Sequence, residues 1–177
     1  MKIVMITGSP HVKGTSALLV ERFIAGAETK GHQIEKMEAA FLNIHPCTAC
    51  EYCKTSNTCV FQDDMGLWNE RILNADLLVF VTPLYYFGMS TQIKAVIDRF
   101  YANNEALQDK HIKTMLLATC ADEEAWAKDA LLLHYQTLCR YMNFHNQGVL
   151  FADSVYHRQD IEKTNYPEKA YALGASI

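Results

Sequence analysis

The 177-residue sequence contains no block of basic residues, no long apolar run, no internal repeat and no low-complexity linker. Each absence removes a class of function. With 16 Lys and Arg against 20 Asp and Glu, a net charge of −4 and a pI near 5.9, it lacks the electrostatic footprint of a nucleic-acid binder. No stretch approaches the roughly 20 apolar residues that a membrane span needs. The opening MKIVMITGSP has one lysine and a short apolar run that meets Gly8 at once, too short for the core of a secretory leader. A cytoplasmic, reducing location and one domain over residues 1–177 are therefore expected. No Ser-His-Asp or paired-carboxylate arrangement stands out, so no catalytic side chain is assigned.

What is present is an alternation of apolar strands and amphipathic helices. KIVMIT (2–7), DLLVFVTP (76–83) and IKTMLLATC (112–120) read as buried strands, HQIEKMEA (32–39) as one nearer an edge, and NQGVLFAD (146–153) as a fifth. Helices are predicted from Thr15 or Ser16 to about residue 30, over 90–101 and 122–142, and near the C-terminus. Strands that alternate with helices give an α/β fold with a parallel sheet, whose ligands bind beyond the carboxyl ends of the strands. The loops after Thr7, Val81, Ala118 and Phe151 are the places to search.

The first of these, GSPHVKGTS (8–16), joins a strand to a helix and is placed to cradle a phosphate. It is not a Walker A loop, because five residues separate Gly8 from Gly14 and Thr15 stands where the lysine belongs. It is not G-x-G-x-x-G either. It offers hydroxyls (Ser9, Thr15, Ser16) with His11 and Lys13 nearby, which suits a terminal phosphate monoester such as that of FMN. The second, TPLYYFGMS (82–90), sets three consecutive aromatics between Pro83 and Gly88, a composition that suits either a flat ligand or a core or subunit contact.

Four of the six cysteines lie in PCTACEYCKTSNTC (46–59), spaced C-x2-C-x2-C-x5-C. Zinc sites usually pair two C-x2-C knuckles across a longer insert, and a thioredoxin-like pair would sit near the chain start. Iron–sulfur clusters do take closely spaced cysteines, although the familiar ferredoxin run ends differently. Cys47, Cys50, Cys53 and Cys59 are open between cluster ligands and free thiols or a disulfide. Cys120 and Cys139 read as packing residues, as do Trp68 and Trp126, and Asp63-Asp64-Met65 as the cap of a following helix.

Taken together, GSPHVKGTS, the cysteine-bearing segment ending DDM (63–65), ADLLVFVTPLYYFGMSTQIKAVIDRF and the tail PEKAYALG resemble the flavodoxin-like NAD(P)H-dependent FMN reductase family, including its iron–sulfur flavoprotein branch. The match runs through most of the chain in order. The resemblance implies a flavodoxin-like three-layer sandwich, with a five-stranded parallel sheet in order 2-1-3-4-5 and helices on both faces. The cysteine-rich segment (about 44–65) is an insert and about 154–177 a C-terminal tail. It implies FMN held by Ser9, His11, Thr15 and Ser16 at the phosphate and by Pro83, Leu84, Tyr85, Tyr86, Phe87 and Gly88 at the ring, with Thr119 closing the other side. It implies hydride taken from NAD(P)H and passed to a small acceptor (a quinone, nitro compound or free flavin) or to a bound cluster, which would be [4Fe-4S] on the four cysteines. A homodimer or homotetramer is also implied. The alternative is a flavodoxin-type or cluster-bearing electron carrier that docks on protein partners.

Overall fold

Along β1 (Lys2–Thr7), Ile3 and Met5 face one side of the sheet while Val4 and Ile6 face the other, and all four are shielded from solvent. That period-2 alternation, buried on both sides, is why the strand reads as an unbroken apolar run. The computed structural model describes all 177 residues and repeats this pattern in β3 (Leu77–Pro83) and β4 (Lys113–Thr119). With β2 (Gln33–Glu38) and β5 (His145–Ala152) they form one parallel sheet in the expected order β2-β1-β3-β4-β5. In β2 only Met37 is fully shielded, as befits an edge strand.

Eight helices complete the chain: α1 (Thr15–Glu28), α2 (Cys53–Ser56), α3 (Met65–Leu73), α4 (Thr91–Arg99), α5 (Asn104–Lys110), α6 (Asp129–Tyr141), α7 (Arg158–Ile161) and α8 (Tyr166–Ala175). α1 and α8 cover one face, where Leu19, Phe23, Ala27 and Ala170 pack on Ile3, Met5, Val79 and Leu117. α3, α4 and α6 cover the other, where Ile72, Ile93, Val96, Leu131 and Tyr135 pack on Val4, Ile6, Phe80 and Leu116. α1 and α8 meet through Gly26 and Gly174, and a Cβ on either would fall 2.1 Å from a backbone oxygen of the facing helix. Only glycine lets the two backbones come so close. No helix is long and apolar enough to cross a membrane.

Three local expectations are corrected. The N-cap of α1 is Gly14, because Ser16 is buried and the Thr15 hydroxyl is committed to Thr119, 3.0 Å away. The helix expected from 122 begins at Asp129: the Asp122 carboxylate accepts the Glu124 amide at 2.9 Å and turns the chain into a 3-10 stretch, Ala125–Lys128. Trp126 lies in that stretch and is largely exposed, with its ring 5.1 Å from that of Phe87, so it is not a core residue.

Candidate functional site

The carboxyl ends of β1, β3, β4 and β5 open onto a cavity of about 760 Å³. Backbone bonds that run on past the strands build its floor. Gly8 N–H donates to the Val81 carbonyl, Leu84 N–H to Thr119, Cys120 N–H to Ala152 and Val155 N–H to Cys120, each at 2.8 or 2.9 Å. The Thr15 hydroxyl ties the start of α1 to the end of β4. The Thr82 hydroxyl accepts the Ser90 amide at 3.0 Å and so fixes the turn into α4.

One wall is the loop 9–15 together with the N-terminus of α1. The amides of Val12, Lys13, Thr15, Ser16 and Ala17 donate to no protein acceptor, while the His11 amide is used by the Ser9 hydroxyl at 3.1 Å. Free amides at a helix start, backed by the helix dipole, form a site for an anion. The charges agree. Lys13 and Arg158 line the cavity and no carboxylate does, in a chain whose net charge is −4. Arg158 is held rigid by Glu21, whose carboxylate takes both terminal nitrogens at 3.0 and 2.6 Å, and this pairing holds the guanidinium above its ordinary range.

Of the residues singled out from sequence, Ser9, His11, Thr15, Pro83, Leu84, Tyr85 and Thr119 all line this one cavity. Ser16 does not; its side chain faces a neighbouring pocket of about 110 Å³ with Thr7 and Glu38. Tyr86, Phe87 and Gly88 sit beyond the lining. Tyr85 and Gly88 exchange both backbone hydrogen bonds at 3.1 Å, which closes a tight hairpin turn. Its two central residues, Tyr86 and Phe87, have φ of 44° and 64°. Side chains with a Cβ resist that conformation, at about 1–3 kcal/mol each. The turn carries Tyr86 fully into solvent and sets Phe87 against Trp126 at the cavity mouth.

The last wall, Val155 to Arg158, was not foreseen by residue. The signal was its position after the fifth strand, where the polar composition hid it. Cys120 also lines the cavity. Burial pushes its thiol up and outweighs the Asp122 amide, which donates to its sulfur at 3.2 Å and opposes that shift, so it stays protonated near neutrality and is a poor nucleophile.

A second pocket lies at the C-terminal end of α4 and the segment that follows it. All four clustered cysteines line it, with Val60, Phe61, Tyr101 and Arg99. The six cysteines are unpaired, and no three Cys, His, Asp or Glu side chains are set to hold a single metal ion. Four thiols thus share one cleft, whose lining also includes Glu51 and Asp98. The cleft is narrow, about 20 Å³.

Comparison with known proteins follows this geometry. The family described as NADPH-dependent FMN reductase matches residues 1–154. An iron-sulfur flavoprotein of Archaeoglobus fulgidus is 30% identical over 113 residues, covering 63% of this chain and 51% of that protein. The chain spans about half the length of the curated relatives it matches. Among solved structures, the NAD(P)H:quinone oxidoreductase of Methanothermobacter marburgensis aligns with a TM-score of 0.77 at 17% identity, over 99% of this chain and 96% of that one. An FMN-dependent NADH-azoreductase of Bacillus anthracis, in complex with FMN, gives 0.73 at 12%, over 99% and 98%. At these identities the structural likeness establishes the fold.

Proposed function

The chain belongs to the NADPH-dependent FMN reductase family, and from that premise we propose that it is an FMN-dependent oxidoreductase that takes hydride from NAD(P)H and reduces a small acceptor such as a quinone, nitro compound or free flavin. The observation that carries this reading is the 760 Å³ cavity with unused α1 amides on one wall and no carboxylate in its lining. FMN, when bound, supplies the redox chemistry by accepting hydride and releasing electrons to the acceptor.

The chain's own residues bind and orient. The amides at the start of α1, that of Thr15 included, take the phosphate with Ser9 and Lys13, while the Thr15 hydroxyl stays on Thr119. Pro83, Leu84 and Tyr85 meet the ring on one side, and Thr119, Cys120 and Ala121 on the other. The exposed rings of Tyr86, Phe87 and Trp126 give a planar nicotinamide or quinone an aromatic surface at the mouth. The same exposed rings suit a second copy of the chain, in keeping with a homodimer. No side chain of this site needs to transfer a proton to start the reaction.

The cysteine pocket favours a second element: an iron–sulfur cluster held by Cys47, Cys50, Cys53 and Cys59, taking electrons from the flavin. The supporting observation is that four free thiols share one cleft.

Protein purified under argon is expected to bind FMN with micromolar affinity or tighter and to lose its flavin absorbance on stopped-flow mixing with NADPH or NADH. A carrier that only docks on proteins would leave the absorbance unchanged, and no binding of FMN would remove the reading altogether. The same anaerobic sample is expected to contain iron and acid-labile sulfide. Cys53→Ala is expected to lose that iron and keep FMN, since its pocket and the flavin cavity share no residue; iron retained in full by this variant rejects the ligand assignment.

A further inference from the structure

The smaller pocket of about 110 Å³ adjoins the flavin cavity and shares Ser9, His11 and Val12 with it. Ala17, Val20 and Ile24 of α1 recur at helical spacing and give it an apolar side. The ends of β1 and β3 contribute Thr7 and Val81, and the edge strand β2 supplies Lys36 and Glu38, paired with each other at 3.1 Å. Ser16 is only 3% exposed, and its hydroxyl faces this pocket without a partner in the protein. Hydroxyls so shielded are nearly always hydrogen-bonded, and here the partner has to come from the pocket. The amides of Val12, Ser16 and Ala17, residues of the same lining, are also unused.

Size and charge narrow the occupant. A water takes about 30 Å³ of liquid, so the pocket has room for about three or four waters, or for one purine base. An apolar helix face with a few polar groups around it suits a flat heteroaromatic ring that has hydrogen-bonding edges. The lining carries two carboxylates, and each already has a counter-charge: Glu38 has Lys36, and Glu21 has Arg158 at 3.0 and 2.6 Å. Arg158 above all, with Lys36 behind it, holds the Glu21 carboxyl below the usual carboxylate range, which sets Lys36 between two carboxylates. Lys36 is the one lysine or arginine of the lining, so no uncommitted cation is left for a phosphate. The carboxylates can still accept hydrogen bonds from sugar hydroxyls. Because loop 9–12 is a rim common to both spaces, one extended ligand can lie in the two of them.

We infer that this pocket is the adenosine subsite of the hydride donor, with the base along Ala17, Val20 and Ile24, one edge on the Ser16 hydroxyl and the ribose beside Glu38, and that Glu38 selects NADH over NADPH. The inference rests on the reading of the large cavity as a flavin site and names the donor for it. A 2′-phosphate would bring about −1.5 to −2 charges to a wall whose one lysine is already shared by two carboxylates. The adenosine end does not react. Holding it draws the donor to the flavin, and the hydride transfer itself is unchanged.

The test is stopped-flow flavin reduction in the anaerobic, FMN-loaded full chain with three donors: NADH, NADPH and reduced nicotinamide mononucleotide, which lacks the adenosine. NADH is expected to half-saturate the reaction at a concentration at least about tenfold below that of either other donor. Adenosine should compete with NADH and not with the mononucleotide, and calorimetric titration should show it binding the wild-type chain. Ile24→Phe fills the pocket from its apolar side and lies outside the flavin cavity. It should lose the adenosine binding and raise the NADH concentration needed by about tenfold, with the mononucleotide unaffected. Glu38→Gln should narrow the gap between NADH and NADPH. Should Ile24→Phe fail to fold, as read by circular dichroism and FMN binding, the adenosine competition in the wild type decides. Equal saturation by NADH and the mononucleotide, no competition by adenosine, or a preference for NADPH overturns the inference. So does a folded Ile24→Phe that weakens both donors alike, or neither. Bound flavin that none of the three donors reduces removes the reductase reading itself, and the subsite with it.

Discussion

Asp63→Ala is expected to lower folding stability by about 3–5 kcal/mol, because it leaves the Arg99 guanidinium buried without its counter-charge. In a chain of this size about 2–4 °C is lost per kcal/mol, so the melting temperature should fall by at least about 6 °C. Both partners are only 2% exposed, which separates this pair from the surface pairs such as Lys94 with Asp98, worth little. The acid behaviour follows the same contact. Burial would push the Asp63 carboxyl up, but the hydrogen bonds from Arg99 and from the His45 and Met65 amides outweigh it and hold it below the usual carboxylate range. A depressed value means that the pair's stabilisation is complete above the unfolded carboxyl value, about 3.9, and drains away as pH falls through the folded one. Melting curves of wild type and Asp63→Ala should therefore differ fully at pH 7, and begin to converge only below about pH 4, as the pH falls toward the depressed folded value. Curves that differ by less than about 1 kcal/mol at pH 7 would mean that the pair is not buried in solution.

That pair also marks where the sequence stopped speaking. The three central strands were legible because each is apolar on both faces, so Val79, Phe80 and Val81 announce a buried parallel strand without any tertiary information. The phosphate loop was legible because a strand, a hydroxyl-rich turn and an amphipathic helix are contiguous. Asp63 and Arg99 are 36 residues apart, and nothing local marks either as the partner of the other. Asp63 did act locally as expected, accepting the Met65 amide at 3.2 Å, and that local role hid the distant one. Ser16 and Tyr86 were hidden for a different reason. Their positions in the chain are right, but side-chain direction is set by helix phase in one case and by left-handed backbone in the other. The wall at 155–158 depends on how the segment after β5 folds back over α1, through Arg158 and Glu21, and only the packed chain reveals that.

Gly8→Ala is expected to be the most damaging single substitution for FMN binding. Gly8 stands where β1 becomes the phosphate loop, with its amide bonded to Val81. A Cβ there would lie 2.1 Å from the Ser90 Oγ and 2.6 Å from Cγ1 of Ile93. The serine can rotate away, though its hydroxyl is already buried without a partner. Ile93 cannot, since its branch carbon is locked against the core on the first turn of α4 and it is fully shielded. Either the loop or the start of α4 must shift, and overpacking of this kind costs about 1–3 kcal/mol. The loop borders the cavity, so strain placed on it falls on the amides that would meet the phosphate. FMN affinity, read by quenching of flavin fluorescence, should drop by at least about tenfold, equivalent to about 1.4 kcal/mol. Adding Ser90→Ala relieves the oxygen contact but not the isoleucine one, and should recover only part of the loss. Gly66→Ala is the matched control. A Cβ there meets nothing within 4 Å, the residue is on α3, and the change should leave FMN binding untouched while adding about 0.4–1 kcal/mol of stability. If Gly8→Ala bound FMN as the wild type does, the phosphate would have to sit elsewhere, because no arrangement of this loop admits the methyl group without moving its amides.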